Sequence, residues 1–135
     1  MLKIHVLQEA SRDRAARWHD SPEAQWSLLE WAGAMCGESG EAANIAKKIK
    51  RLESKMRSIS KQIVTPRNDD PLARQQRILL IDDQMQQLKP ALAKEVADAI
   101  LYGICIFNEL DVVAEDVLRE VFNEKSEEYD FPERI

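Results

Sequence analysis

The stretch 95-EVADAILYGICIF-107 decides the fold, because it is long enough for a helix and carries only one charge, Asp98, after Glu95. A helix that is apolar around nearly its whole circumference is typical of a buried core helix. Ionised carboxylates are rarely left in such surroundings unless a cation or a metal ion pairs with them. Glu95 and Asp98 are three residues apart, so they share one face of the helix. The stretch therefore predicts a buried helix with two acids on one face.

A second pair of acids, Glu38 and Glu41, has the same spacing within 37-GESGEAANIAKK-48. Ion pairs with lysine or arginine on a neighbouring helix are the simplest explanation for either pair. A di-iron site of the ferritin-like type needs Glu-x-x-His motifs, and neither of the two histidines follows a glutamate at that spacing. An oxygen-only site for Mg²⁺ or Mn²⁺ is the remaining explanation, because these ions prefer carboxylates and water. The spacing alone leaves the ion-pair and metal explanations open.

The remaining pattern predicts an all-α fold, because apolar residues recur at spacings of three and four and glycine and proline are few (4 and 5). We predict a single domain over 1–135, a bundle of four to five helices. An N-terminal segment, 1–20, is expected to be alternating at first and then irregular or weakly helical. A long helical hairpin arm, 50–90, is expected between the two acidic motifs, with its break at 65-TPRNDDP-71 and a new helix from Asp70-Pro71.

Local signals predict where the helices begin, break and end. Ser21-Pro22-Glu23 has the residue types of a helix start. The glycines that follow mark either a helix break near 35–37 or the close approach of another group, and Pro90 marks a kink or a restart. The apolar helix is expected to end at 109–111. A last amphipathic helix over 112–129 and an extended tail over 131–135 complete the prediction.

Composition narrows the classes of function. The net charge of −5 argues against a surface that coats nucleic acid, which would be basic. Cys36 and Cys105 have no CxxC or Cys/His spacing, so we expect two reduced thiols. The N-terminus has no apolar signal region and no run approaches eighteen apolar residues, so we expect a soluble, cytoplasmic protein without a membrane partner.

Three segments together resemble the MazG-like all-α nucleoside triphosphate pyrophosphohydrolases, whose pattern is ExxE on one helix and ExxD on another. The segments are GESGEAANIAKKIK (37–50), KEVADAILY (94–102) and FNEKSEEYDFPERI (122–135). The resemblance extends over about 22–49 and 91–134. It implies Mg²⁺-dependent (or Mn²⁺-dependent) hydrolysis of nucleoside or deoxynucleoside triphosphates to the monophosphate and pyrophosphate. Such a reaction would clear surplus or non-canonical nucleotides from the pool.

The resemblance also implies roles for individual residues. The metal ligands would be Glu38, Glu41, Glu95 and Asp98. Tyr102, which shares their stripe on the second helix, would lie near the nucleoside, and Asn123 and Lys125 would contact the phosphates or sugar. From helical phase and composition we add Lys48 as a phosphate contact and Trp18 as a residue that stacks on the base. We expect Glu41, together with Glu38, to act on the attacking water.

Two departures from the family pattern bear on these expectations. Many members have a glutamate doublet where this chain has Gly37-Glu38, which leaves one potential ligand fewer. The 50–90 arm is also longer than the connection expected in the family. Because the apolar helix over 96–107 needs covering on all sides, we expect a homodimer or a dimer of dimers. The alternative function is a non-catalytic helical scaffold protein with a degenerate metal site and the arm as its interaction surface.

Overall fold

The computed structural model describes residues 3–18, 25–61 and 70–135, and within these ranges it contains four helices and no strand. The predicted all-α class is therefore confirmed. No helix in the described part of the chain is long and apolar enough to cross a membrane. The helices are α1 (Ile4–Trp18), α2 (Leu28–Lys61), α3 (Pro71–Glu109) and α4 (Ala114–Glu128).

The chain forms two compact units. One, the terminal unit, consists of Met1–Cys36 and Ala99–Ile135, and the other, the central unit, consists of Gly37–Asp98. The long helices α2 and α3 each contribute residues to both units. Both acidic motifs belong to the central unit, whereas all three tryptophans belong to the terminal unit.

The core of the central unit forms where the end of α2 packs on the beginning of α3. Ile59, Ile81 and Met85 are buried there, and three partly buried side chains pack against them: Leu52, Met56 and Ile78. The guanidinium Nη2 of Arg74 donates hydrogen bonds to the carbonyl oxygens of Ile59 (2.8 Å) and Ser60 (2.9 Å). These carbonyls lie in the last turn of α2, where intrahelical donors run out, so the arginine caps that helix.

The first turn of α3 has the cap that the sequence predicts. The backbone N–H of Leu72 donates to Oδ1 of Asp70 (3.0 Å), and Pro71 is the first helical residue. The rest of the predicted break, 65–69, lies outside the described residues. The helix continues through Pro90, so a restart at that proline is wrong.

The predicted break in α2 near 35–37 is also wrong, because the helix is continuous from Leu28 to Lys61. A Cβ placed at Gly33, Gly37 or Gly40 would meet no other described atom within 4 Å, so close approach of another described helix does not explain these glycines. The predicted start at Ser21-Pro22-Glu23 lies outside the described residues. Near the observed start, the N–H of Ser27 donates to Oε2 of Glu30 (2.6 Å), which is half of a capping box.

Residues 4–18 of the N-terminal segment form helix α1, so of the two predictions for 1–20 the helical one applies to these residues and the irregular one does not. Helix α1 packs against α4, and its buried residues are the polar Gln8 and Ser11. The apolar periodicity of the sequence gave only a weak indication of this helix, because the residues that it buries are polar. The side chain of the buried Gln8 forms hydrogen bonds with the backbone of Val112 and Ala114.

The end of α3 and the last helix agree with prediction, but the burial of the apolar stretch does not. Helix α3 ends at Glu109, and α4 begins after Asp111, whose φ of 53° lies in the left-handed region. Ile104 is buried, whereas Val96 and Ile100 are 44% and 54% exposed. In the described part of the chain, residues 96, 97 and 100 are therefore exposed, whereas every residue from 101 to 107 is buried or half-buried.

Candidate metal centre

Three carboxylates from the two acidic motifs come together in the central unit. Glu38 extends from α2, and Glu95 and Asp98 extend from one face of α3. One carboxylate oxygen from each lies within 4.8 Å of the other two, and all three residues are half-buried. We call these residues the carboxylate cluster. It contains three of the four metal ligands that the sequence predicts.

The surroundings of Glu38 in the carboxylate cluster favour its protonated form. Its pKa is raised above the ordinary value of 4.5, first by a side-chain hydrogen bond with Glu95 and then by partial desolvation. The negative charges of Glu41, Glu95 and Asp98 raise this pKa further. All of these causes favour the protonated acid. No cationic group in the described ranges acts on this pKa in the opposite direction.

The ion-pair explanation of the acidic motifs therefore has little support in the described part of the chain. The ion pairs found there join other residues, such as Arg57 with Glu53 and Arg119 with Glu115. None involves a member of the carboxylate cluster. Among the residues that the structure describes, no protein cation pairs with these like charges.

The fourth predicted ligand, Glu41, stands apart from the other three. It is exposed on α2 and does not belong to the group whose oxygens lie within 4.8 Å of one another. Its charge nevertheless contributes to the raised pKa of Glu38. Glu41 therefore lies beside the carboxylate cluster. Lys48, the predicted phosphate contact, is exposed seven residues further along the same helix.

The donor set fits Mg²⁺. Hard divalent cations prefer carboxylate oxygens and complete their shells with water, and partly exposed carboxylates leave room for that water. The raised pKa of Glu38 is the result expected when acids crowd together without a counterion. A divalent cation held by Glu38, Glu95 and Asp98 would reverse this effect. The described residues contribute no histidine to the cluster, so a ferritin-like centre does not fit.

The residues predicted to contact the nucleoside lie in the terminal unit. The ring of Tyr102 stacks on that of Trp26, with centroids 6.3 Å apart, and lies 6.1 Å from that of Trp31. Trp18 is 66% exposed at the end of α1, and the guanidinium of Arg14 lies 6.0 Å from the centroid of its ring. Trp18 is thus open to a stacking partner, whereas Tyr102 belongs to an aromatic cluster.

Asn123 and Lys125, the predicted phosphate or sugar contacts, are engaged within the terminal unit itself. The side-chain amide of Asn123 donates to the carbonyl oxygen of Ile135 and accepts from its N–H, both at 3.1 Å. Lys125 forms an ion pair with Glu128, and its Nζ lies 5.8 Å from the ring centroid of Tyr129. Either side chain would have to exchange these partners to contact a nucleotide.

The sequence interpretation missed Gln8, which is buried on α1. Its Nε2 donates to the carbonyl oxygen of Val112 (2.7 Å), and its Oε1 accepts from the N–H of Ala114 (2.9 Å). Asn108 in turn donates to the backbone oxygen of Gln8 (3.2 Å). No local signal identifies such a residue, because its partners are 100 or more positions away.

Comparison with protein-family models, curated proteins and solved structures finds no match to this chain.

Proposed function

We propose that this protein is a Mg²⁺-dependent nucleotide pyrophosphohydrolase, which cleaves nucleoside or deoxynucleoside triphosphates to the monophosphate and pyrophosphate. The observation that carries the proposal is the carboxylate cluster. One carboxylate oxygen from each of Glu38, Glu95 and Asp98 lies within 4.8 Å of the other two. A raised pKa at Glu38 supports a site that lacks its counter-charge. The reaction class comes from the resemblance of the two motifs and of the 122–135 segment to the MazG-like family.

The three clustered carboxylates would hold the metal ion. When bound, Mg²⁺ would offset the charge of the phosphate oxygens and lower the pKa of a coordinated water. Glu41 is exposed beside the cluster, and we assign it as the general base that takes a proton from the attacking water. The water oxygen forms a bond to the α-phosphorus as the bond from that phosphorus to the bridging oxygen breaks, and pyrophosphate leaves with the electron pair. The exposed ammonium of Lys48 would contact a phosphate oxygen.

Recognition of the nucleoside is assigned to aromatic residues and to the last segment of the chain. Trp18 would stack on the base, which favours no particular base because every base has an aromatic face. Tyr102 would lie near the nucleoside. Asn123 and Lys125 would contact the phosphates or sugar after releasing Ile135 and Glu128. Removal of unwanted nucleotides from the cytoplasmic pool is the biological role that this activity suggests.

We further propose a homodimer or a dimer of dimers. Val96 and Ile100 lie in the most apolar stretch of the sequence and are 44% and 54% exposed. Burial of such side chains against a second copy would recover about 25 cal/mol for each Å² of apolar surface removed from water. Size-exclusion chromatography with light scattering measures the assembly directly, and a strict monomer at micromolar concentration would exclude it.

Pyrophosphate release from a panel of NTPs and dNTPs tests the proposed reaction. We expect release that requires Mg²⁺ and falls by at least about 100-fold in Glu41→Gln, because a positioned general base contributes that much or more. Glu53→Gln is the matched control, since Glu53 is an exposed acid on the same helix with only a surface ion pair to Arg57. This control should keep wild-type activity.

Two negative results would have different meanings. No release from any nucleotide, with Mg²⁺ still binding to the protein, would exclude the canonical nucleotides as substrates and direct the search to modified ones. No release and no Mg²⁺ binding would overturn the proposed function and leave the helical scaffold as the remaining alternative.

A further inference from the structure

The charge of this chain is unevenly distributed, and its most basic part lies in the second half of α2. Of the 15 residues from 47 to 61, seven are lysine or arginine and one is acidic, so this stretch carries a net charge of +6. The rest of the chain carries −11, because the whole chain carries −5. The overall charge excludes a protein that is basic throughout, but it does not show this basic segment.

Helical phase gathers most of these cations on one face of α2. Side chains recur on the same face of a helix every three or four residues. Leu52, Met56 and Ile59 face the core of the central unit. Since an α-helix rises 1.5 Å per residue, the opposite face of 47–61 extends about 21 Å along this continuous helix. Five exposed cations lie on that face, and we call them the basic stripe: Lys47, Lys50, Arg51, Arg57 and Lys61.

The middle of the basic stripe contains two serines with short side chains. Ser54 and Ser58 are exposed there, and together with Arg57 and Lys61 they line an open surface groove of about 530 Å³. The hydroxyl of Ser54 donates to the carbonyl oxygen of Lys50 (2.9 Å), so Ser58 is the hydroxyl that we expect to donate to a ligand. Cationic and hydroxyl side chains are the groups that contact phosphate oxygens in complexes of proteins with nucleic acid.

Protein acids offset little of the charge of the basic stripe. Among the described residues, one ion pair involves it, in which Nη2 of Arg57 lies 3.8 Å from Oε2 of Glu53 and both side chains are at least half exposed. Such surface pairs contribute about 1 kcal/mol or less, so a phosphate group can replace the glutamate. The acids of the first motif do not share this face, because Glu38 is about 180° and Glu41 about 120° from Lys47 around α2.

The composition of this face favours the phosphate backbone of a nucleic-acid duplex over other acidic partners. The basic stripe and the two serines within it include no apolar or aromatic side chain. A helix that inserts into a lipid surface needs an apolar face beside its cations, and the centre of a protein interface is enriched in aromatic residues. Single strands bind to aromatic platforms, on which their bases stack. Interfaces with duplex DNA are instead polar and strongly positive.

We infer that the basic stripe binds the phosphate backbone of double-stranded nucleic acid without reading its sequence. The lysines and arginines of the stripe would contact phosphate oxygens along the duplex. Ser58 would donate to a phosphate group in the groove that it lines with Arg57 and Lys61. Contacts with phosphate carry no information about the bases, so we expect no preference for a sequence. This inference does not rest on the proposed hydrolase activity, since it involves neither the carboxylate cluster nor Lys48.

Fluorescence anisotropy of a labelled DNA duplex of mixed sequence tests the inference, with the full-length protein and with EDTA present. We expect a Kd of about 1–100 μM near physiological salt, which is the range of non-specific binding. The logarithm of the association constant should fall linearly with the logarithm of the salt concentration. Its slope should be about −4.5 if all five cations contact phosphates, because each contact contributes about −0.9. A second duplex of different sequence should bind equally well.

A pair of double variants separates the basic stripe from the total charge of the protein. Lys50→Gln with Arg51→Gln removes two cations of the stripe and keeps good helix formers at both positions. It should weaken binding by at least about tenfold and reduce the magnitude of the salt slope by about 2. Lys89→Gln with Lys94→Gln removes the same charge from exposed positions of α3 in the same unit. This control should keep the wild-type slope, and circular dichroism should show the same helix content in all three proteins.

Three results would overturn the inference. One is no change in anisotropy at about 50 mM salt, where electrostatic binding is strong. Another is the same loss of affinity in the two double variants, which would assign the binding to total charge. The third is stronger competition by polyglutamate, or by vesicles that contain phosphatidylserine, than by unlabelled duplex at equal concentrations of negative charge. That result would indicate an acidic protein or a membrane surface as the partner. Pyrophosphate release is not measured here, so failure of the hydrolase proposal would leave these outcomes unaffected.

Discussion

The central unit contains the carboxylate cluster, and the terminal unit contains the hydrogen bonds of Gln8 with Val112 and Ala114, which we call the Gln8 junction. Both are polar groups at least partly buried, but only one of them has its polar atoms paired. At the junction, a neutral amide donates to Val112 and accepts from Ala114, so each polar atom of the Gln8 side chain has a partner. In the carboxylate cluster, half-buried acids of the same sign face one another and raise the pKa of Glu38. We therefore expect the junction to stabilise the fold and the cluster to oppose it when its acids are ionised.

On the proposed function, this difference is the one expected between a structural polar site and a functional one. Buried polar groups that satisfy each other need nothing further, and their removal leaves unpaired atoms. A group of like charges lowers stability unless a ligand or metal ion offsets the charge. Such a loss of stability is the usual trade-off at functional sites. Substitutions at the two sites should therefore change stability in opposite directions, and only those at the cluster should abolish catalysis.

The largest expected effect is on catalysis. Glu95→Gln should lower pyrophosphate release by at least about 100-fold, because loss of a charged ligand weakens both metal binding and charge stabilisation in the transition state. Circular dichroism should show an unchanged helix content. Asp82→Asn, an exposed acid on the same helix, is the control and should keep full activity. Equal activities in the two variants would remove the cluster from the reaction.

The next effect is on stability at the junction. Gln8→Leu should lower the free energy of unfolding by about 2–6 kcal/mol, because it leaves the carbonyl of Val112 and the N–H of Ala114 without partners, and each such loss costs about 1–3 kcal/mol. Urea denaturation measures the change. Gln86→Leu, at an exposed position of α3, should stay within about 0.5 kcal/mol of wild type. A similarly small change in Gln8→Leu would show that the junction is not a structural determinant.

A smaller effect is the pH dependence of stability. The folded state binds the Glu38 proton more tightly than the unfolded state, because the pKa is raised from 4.5 on folding. By linkage, the resulting stabilisation is fully present below the unfolded value and is lost as the pH rises through the folded pKa. Without divalent cations, wild type should therefore lose stability relative to Glu38→Gln between pH 4 and pH 7. Urea denaturation of both proteins at pH 4 and pH 7 measures the difference in their free energies of unfolding. A difference that stays constant or reverses between the two pH values would refute this prediction.

The acidic side of this comparison could be predicted from the sequence, whereas the Gln8 junction could not. The acidic spacing at 95–98 placed Glu95 and Asp98 on one face of α3, because helical periodicity fixes which residues share a face. It does not by itself explain why Glu38 of α2 joins them. The Asp70-Pro71 start of α3 was also predictable, since capping is a local property. These are the features that depend on neighbours in sequence.

The features that the sequence did not predict depend on distant partners. Helix α1 was predicted only as one of two alternatives, because its buried residues are the polar Gln8 and Ser11 and not an apolar stripe. The exposure of Val96 and Ile100 was missed because a run of apolar residues does not state which of them a single chain covers. The position of Glu41 beside the cluster, and not within it, depends on the exact rotation of α2.

Thermal unfolding of wild type and Asp98→Asn, each with EDTA and with saturating Mg²⁺, tests most directly whether the carboxylate cluster is a metal site. With EDTA, Asp98→Asn should unfold at a higher temperature, because it removes one of several like charges. With Mg²⁺ at about 100 times its Kd, wild type should gain about 2.7 kcal/mol, whereas the variant should gain much less. The order of the two Tm values should therefore reverse on adding Mg²⁺. No stabilisation of wild type, or the same stabilisation of both proteins, would show that the cluster does not bind the ion.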